Sequence, residues 1–247
     1  PVPPTPDTII YPEYGSGDGE KYFKWENTDT GLQLTETDKE NAKITAKYDT
    51  STEHTHINNV DTDNSSMNIT GGSFVNLTTG STSGSRYGGA IYNRGSLAKL
   101  GDISADFVGN YVSDNNYPEG GAIYNYRSTI GNITGDFIGN YAVSEFGGTN
   151  GGAIYNDSTS TIGSITGNFI GNYAISDRSS AAGGAIYNDS GSTIGDITGD
   201  FIGNYAASDS GATKGGAIFN DSGSSIGSIT GNFIGNYAVS GGGETYG

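Results

Sequence analysis

The tetrapeptide Gly-Gly-Ala-Ile begins at residues 88, 120, 151, 183 and 215, at steps of 32, 31, 32 and 32. A second motif, Phe-(Ile/Val)-Gly-Asn, begins at 107, 137, 169, 201 and 233, at steps of 30, 32, 32 and 32. The two motifs alternate in phase, and an eroded copy, MNITGGSFVN, precedes them at Met67–Asn76. Self-similarity at such a period marks an array in which each unit packs on its neighbours and cannot bury its apolar face alone. Within a unit the apolar residues fall in three short clusters: Ala-Ile-Tyr, Ile-Gly-x-Ile-Thr and Phe-Ile-Gly-Asn-Tyr-Ala. None sustains the spacing of a helix face. Ile, Thr, Tyr and Phe favour strands, while Gly, Asn, Asp and Ser mark turns. The unit therefore predicts an all-β chain: a parallel β-helix (solenoid) with one three-strand coil per repeat of ~32 residues. A division into two coils of about 16 residues fits the same pattern. The segment Ser176–Ala182 is the predicted variable loop, where insertions are tolerated.

Stacked coils place like residues in ladders roughly 4.8 Å apart. Asn110, Asn140, Asn172, Asn204 and Asn236 are expected to form an amide ladder. Phe107, Phe137, Phe169, Phe201 and Phe233 are expected to form an aromatic column in the core. Before each Phe the chain reads Asp106, Asp136, Asn168, Asp200 and Asn232, so neutral residues dilute the repulsion between stacked carboxylates. The array is placed at residues 67–247. Residues 1–66 differ in composition, holding Trp25 and both histidines, and are expected to form an N-terminal β cap over the solenoid end. The opening PVPPTPDT reads as a mature N-terminus or a linker. GGGETYG stands where the next Gly-Gly-Ala-Ile is due, so the array is expected to be part of a longer one.

Charge narrows the partners. The chain of 247 residues carries a net charge of −16, and from Gly88 onward it holds 5 Lys and Arg against 14 Asp and Glu. That argues against nucleic acid and against anionic membrane surfaces, which select basic faces. The absence of cysteine excludes disulfides, thiolate metal sites and a cysteine nucleophile.

The paired motifs, repeated through a Gly/Asn/Ser-rich chain, resemble those of the polymorphic outer membrane proteins of chlamydiae. More broadly they resemble autotransporter passenger domains of Gram-negative bacteria. The resemblance covers residues 67–247. It implies a right-handed β-helix displayed on the bacterial outer-membrane surface or shed outside the cell, acting in adhesion. It also implies a membrane contact made only through a C-terminal translocator barrel that is missing from these residues.

The candidate chemistry is sparse. His54 and His56 share a strand face, as a metal pair requires, but no third ligand is evident. Asp157, Asp189 and Asp221 form a column that could offer oxygens to Ca²⁺ or cap turns; the turn reading is preferred. Arg94, Arg127, Arg178 and Lys214 look scattered, and no copy carries a unique acid–base set, so no catalytic residue, metal or cofactor is assigned and the chain is read as non-enzymatic. Tyr92, Tyr124, Tyr155, Tyr187 and Phe219 follow the Ile of each Ala-Ile pair. If the Ile points inward, alternation sends these rings outward as an exposed binding stripe. Tyr111, Tyr141, Tyr173, Tyr205 and Tyr237 form a second column. The expected function is an adhesin-type binding or stalk module whose partner is a glycan or protein of a host or neighbouring cell. The alternative is an extracellular filament subunit that self-associates end to end by β-strand addition.

Overall fold

In a computed structural model the described residues are 13–17, 20–24, 57–60, 67–79 and 86–247. They contain no helix, and the strands of the repeat region stack in parallel. Residues one repeat apart are direct register partners: Ile154 faces Ile123 and Ile186, and Phe169 faces Phe137 and Phe201. One repeat is therefore one coil, and the division into two shorter coils does not occur.

Each coil from Ile123 onward holds six short strands rather than three, and the coil from Ile91 holds four. In one coil they are Ile154–Asp157, Thr161–Ile162, Ile165–Thr166, Phe169–Ile170, Tyr173–Ser176 and Ala181–Ala182. Two of the predicted strands break at turns. Gly163 donates its N–H at a corner to the carbonyls of Ile130 and Gly131. Gly171 adopts φ +61°, a left-handed conformation that glycine takes without strain. The sixth strand lies in the predicted variable loop. Its pairing runs through the backbone, so Thr149–Asn150, Ala181–Ala182 and Thr213–Lys214 stack despite unlike side chains. Length varies instead at the corner after the Ile-Tyr-Asn strand: Gly95–Ala98 in one coil, Arg127–Ser128 in the next, then Ser158–Ser160.

The core is one continuous column. Ile91, Ile123, Ile154 and Ile186 pack with Phe74, Phe107, Phe137, Phe169 and Phe201 and with Ile103, Ile133, Ile165 and Ile197, all essentially inaccessible; Phe233, expected in the core, is 53% exposed because no described coil follows it. The phenylalanine rings from Phe74 to Phe233 stack at 4.7–4.8 Å, the strand spacing itself. The second glycine of each Gly-Gly-Ala-Ile brings coils into close approach. A Cβ on Gly152 would lie 2.1 Å from the carbonyl oxygen of Gly184 and 2.5 Å from that of Tyr173.

The expected amide ladder forms in full. The Nδ2 of Asn172 donates to Asn204 Oδ1 and to the Phe137 carbonyl, both at 2.9 Å. Its Oδ1 accepts from the Asn140 N–H and Nδ2, also at 2.9 Å. A second ladder, Asn93–Asn125–Asn156–Asn188–Asn220, buried as far as Asn188, links Nδ2 to Oδ1 at 2.7–2.8 Å. The aspartates on the outside have a structural task too. Asp106 Oδ1 accepts the Asp136 N–H at 2.9 Å, and Asp136 Oδ1 accepts the Asn168 N–H at 2.7 Å.

Toward the N-terminus, Ile57–Val60 pairs in parallel with Ile91–Arg94, so the ladder extends below the residue-67 boundary expected for the array. Glu13–Gly17 and Glu20–Lys24 form an antiparallel hairpin. His54, His56 and Trp25 lie outside the described residues.

Replacing Asn172 by Ala strips buried partners from the Asn140 N–H and the Phe137 carbonyl. We expect a loss of ~3 kcal/mol or more, since each stranded buried polar group costs ~1–3 kcal/mol. The urea midpoint followed by circular dichroism checks the loss, and hydrogen exchange should show protection falling first at the Asn140 amide.

Candidate functional site

The two tyrosine columns have different fates. Both point away from the Ile/Phe core, as strand alternation requires. The first does not form an exposed stripe. Tyr124, Tyr155 and Tyr187 are only 6%, 5% and 9% exposed, while Tyr92 and Phe219 are half-buried. These rings make a second apolar cluster with Tyr87, Tyr126 and Ala182. The reason is the sixth strand, which brings Ala182 against them and shuts off solvent. Burial drives the phenols of Tyr124, Tyr155 and Tyr187 far above their ordinary range, with nearby carboxylates adding to the effect.

The second column is the accessible one. Tyr111, Tyr141, Tyr173 and Tyr205 are half-buried, Tyr237 is exposed, and successive rings stack at 4.8–5.0 Å. Two residues along each strand, Val143, Ile175 and Ala207 face the same way and are also partly exposed. Together they form a ribbon of aromatic and aliphatic surface along the solenoid. Partial burial beside Tyr141 and Tyr205 pushes the Tyr173 phenol up to about 12. The phenol therefore stays protonated, and able to donate, through the physiological range.

At Asp189 and Asp221 the aspartate column behaves as turn chemistry. Asp189 Oδ1 accepts the Ser190 N–H at 2.6 Å, and Asp221 Oδ1 accepts the Ser222 N–H at 2.8 Å. Among the described residues no group of three or more His, Asp or Glu is arranged to hold a metal ion.

One carboxylate departs from its column. Glu119 stacks between Tyr87 and Asn150, where later coils place Ala182 and Lys214. It lies beside the buried tyrosines and accepts from Asn150 Nδ2 at 2.9 Å. Burial, reinforced by Asp157, Asp189 and Asp114 and opposed by the Asn150 hydrogen bond, raises its carboxyl to about 7.

The repeat alignment hid one further arrangement. Arg94 and Arg127 are not scattered: both guanidiniums lie over the ring of Tyr126, at 5.6 Å and 5.2 Å from its centroid. Aligning the coils places Arg94 beside Tyr126, but the approach of Arg127 depends on a backbone turn that spacing does not reveal. The chain matches none of the family models, curated proteins or solved structures with which it was compared.

Glu119 makes stability depend on pH. The folded chain holds its proton to higher pH than the unfolded chain does. Stability therefore falls as pH rises from about 4.5 through about 7. Glu119→Gln keeps the acceptor for Asn150 and removes the charge. The variant should melt with the parent near pH 4.5 and gain on the order of 1 kcal/mol at pH 8. Calorimetry at the two pH values checks this; an equal gain at both would remove ionisation as the cause.

Proposed function

We propose that this chain is a non-catalytic binding and stalk module of a bacterial surface or secreted protein, and that it holds an extended glycan along the Tyr111–Tyr237 column. The observation that carries the reading is the accessible tyrosine ladder with its flanking Val143 and Ile175. A rigid backbone pins each ring at the spacing of its neighbours, so little order is lost on binding. Each ring face is covered by the next ring of the stack, so the column offers sugars a continuous apolar edge, and each phenol supplies a donor and an acceptor for hydroxyls. A pyranose chain advances by a distance comparable to one coil per sugar, so successive sugars meet equivalent sites. Affinity then grows by summing weak contacts. The repetition that supports such binding argues against catalysis, which needs one asymmetric arrangement of acid, base and nucleophile.

The double variant Tyr173→Thr, Tyr205→Thr keeps strand propensity and removes two adjacent rings. On a glycan array the parent should retain one or more neutral oligosaccharides, and the variant should lose on the order of tenfold in apparent affinity. Unchanged retention by a folded variant would overturn the assignment of this face. Light scattering over a dilution series should show single rods throughout. Stacks that survive dilution would transfer the reading to a self-assembling subunit.

A further inference from the structure

Arg94, Tyr126 and Arg127 form the most irregular patch of an otherwise regular molecule. After the Ile-Tyr-Asn triplet, three successive coils carry Asp-Ser, at residues 157–158, 189–190 and 221–222. The two preceding coils carry Arg94-Gly95 and Tyr126-Arg127 instead. The register places Arg94 directly beside Tyr126 and Tyr126 beside Asp157. Both arginines are exposed, and among the described residues neither forms an ion pair. By contrast Arg178 is bound to Glu145 at 3.3 Å.

Arg127 occupies a left-handed turn with φ +52°, a position filled by Gly95, Ser158, Ser190 and Ser222 in the other coils. The left-handed conformation thus recurs at this corner in every coil, and Arg127 is set apart by the length and charge of its side chain. The turn is also the shortest of its kind, with only Arg127 and Ser128 between the two strands. At this short corner the second guanidinium lies over the Tyr126 ring. On the other side, Arg94 Nη1 is steadied by a hydrogen bond to the Tyr92 hydroxyl at 3.1 Å. Tyr126 itself leans on the buried Tyr124 ring at 5.9 Å.

We propose that Arg94, Arg127 and Tyr126 bind the carboxylate of a single acidic sugar, a uronic acid or related sugar acid, at the end or branch of a glycan. Two unpaired guanidiniums offer forked donors that match a carboxylate. The partly exposed Tyr126 ring between them offers an apolar edge and a hydroxyl to the sugar. Asp157, one coil further on, sets the limit of the site: it repels a second negative charge on that side. The net charge of −16 repels a long polyanion in the same way. One anionic group is therefore favoured over a polymer of them. The proposal shares only its carbohydrate class with the function above, and it involves a different face of the solenoid.

The test is titration of the full chain with methyl glucuronide, methyl glucoside and a short glutamate-containing peptide, followed by NMR or calorimetry. Glucuronide should bind in the millimolar range or tighter, weaken with added salt, and exceed glucoside by roughly tenfold. Arg127→Ser restores the residue type of the other coils. It should leave the melting temperature unchanged or raised while lowering glucuronide affinity by about tenfold. Arg94→Ser should lower it similarly, and Arg178→Ser should not. Equal binding of glucuronide and glucoside would overturn the proposal, as would undiminished glucuronide binding by folded Arg127→Ser. Tighter binding of the peptide than of the glucuronide would replace the sugar acid with an acidic peptide. Failure of the parent chain to retain any neutral glycan on the array, with glucuronide binding intact, would instead reject only the tyrosine-ladder reading.

Discussion

In the stacked repeats most side chains meet their own counterparts one coil away, and the rest of the structure follows from that constraint. Parallel, in-register pairing sets like against like, so a residue is tolerated only if it is compatible with a copy of itself. Asparagine meets this condition best, because its amide is both donor and acceptor. That is why asparagine fills two ladders, Asn110–Asn236 and Asn93–Asn220, buried as far as Asn204 and Asn188. Phenylalanine meets it by face-to-face offset stacking at strand spacing. A buried carboxylate fails it, so Asp102, Asp106, Asp136, Asp196 and Asp200 lie outside and share their columns with Asn and Ser, each accepting a backbone N–H from the next coil.

The same constraint separates scaffold from surface. Side chains pointing inward hardly vary, since a change would break contacts on both sides. Those pointing outward divide according to what the chain places over them. The sixth strand covers the tyrosines after Ala-Ile and leaves open those after Gly-Asn. One covering strand thus turns two similar columns into a second core and an accessible ribbon. Glu119 is a by-product of the same cover, a carboxylate taken into a layer of phenols where it loses most of its hydration.

Much of this was legible in the sequence. The period, the parallel stacking, the Phe column and the Asn110–Asn236 ladder all follow from repeat spacing and residue type. The Asn93–Asn220 ladder carried the same signal, since those asparagines recur in phase with the tyrosines beside them. Alternation gave the direction of Tyr124, Tyr155 and Tyr187 but not their burial, which depends on a strand whose side chains do not repeat: Asn150, Ala182 and Lys214 share backbone pairing only. The meeting of Arg94 and Arg127 at Tyr126 was hidden for a related reason. It requires a left-handed turn at Arg127, and nothing in the residue type announces one.

The close fit of Gly152 beneath Gly184, repeated from coil to coil, has a genetic counterpart. Because each coil presents the next with the surface it received from the one before, an inner coil is interchangeable with its neighbours. Recombination between misaligned copies of the gene segment would add or remove whole turns and still leave sound junctions. A slip by part of a unit would set glycine against side chain and ruin the fold. Such a gene can change the reach of its product in fixed increments within a few generations, while an irregular corner such as the one at Arg127 travels intact with the turn that carries it.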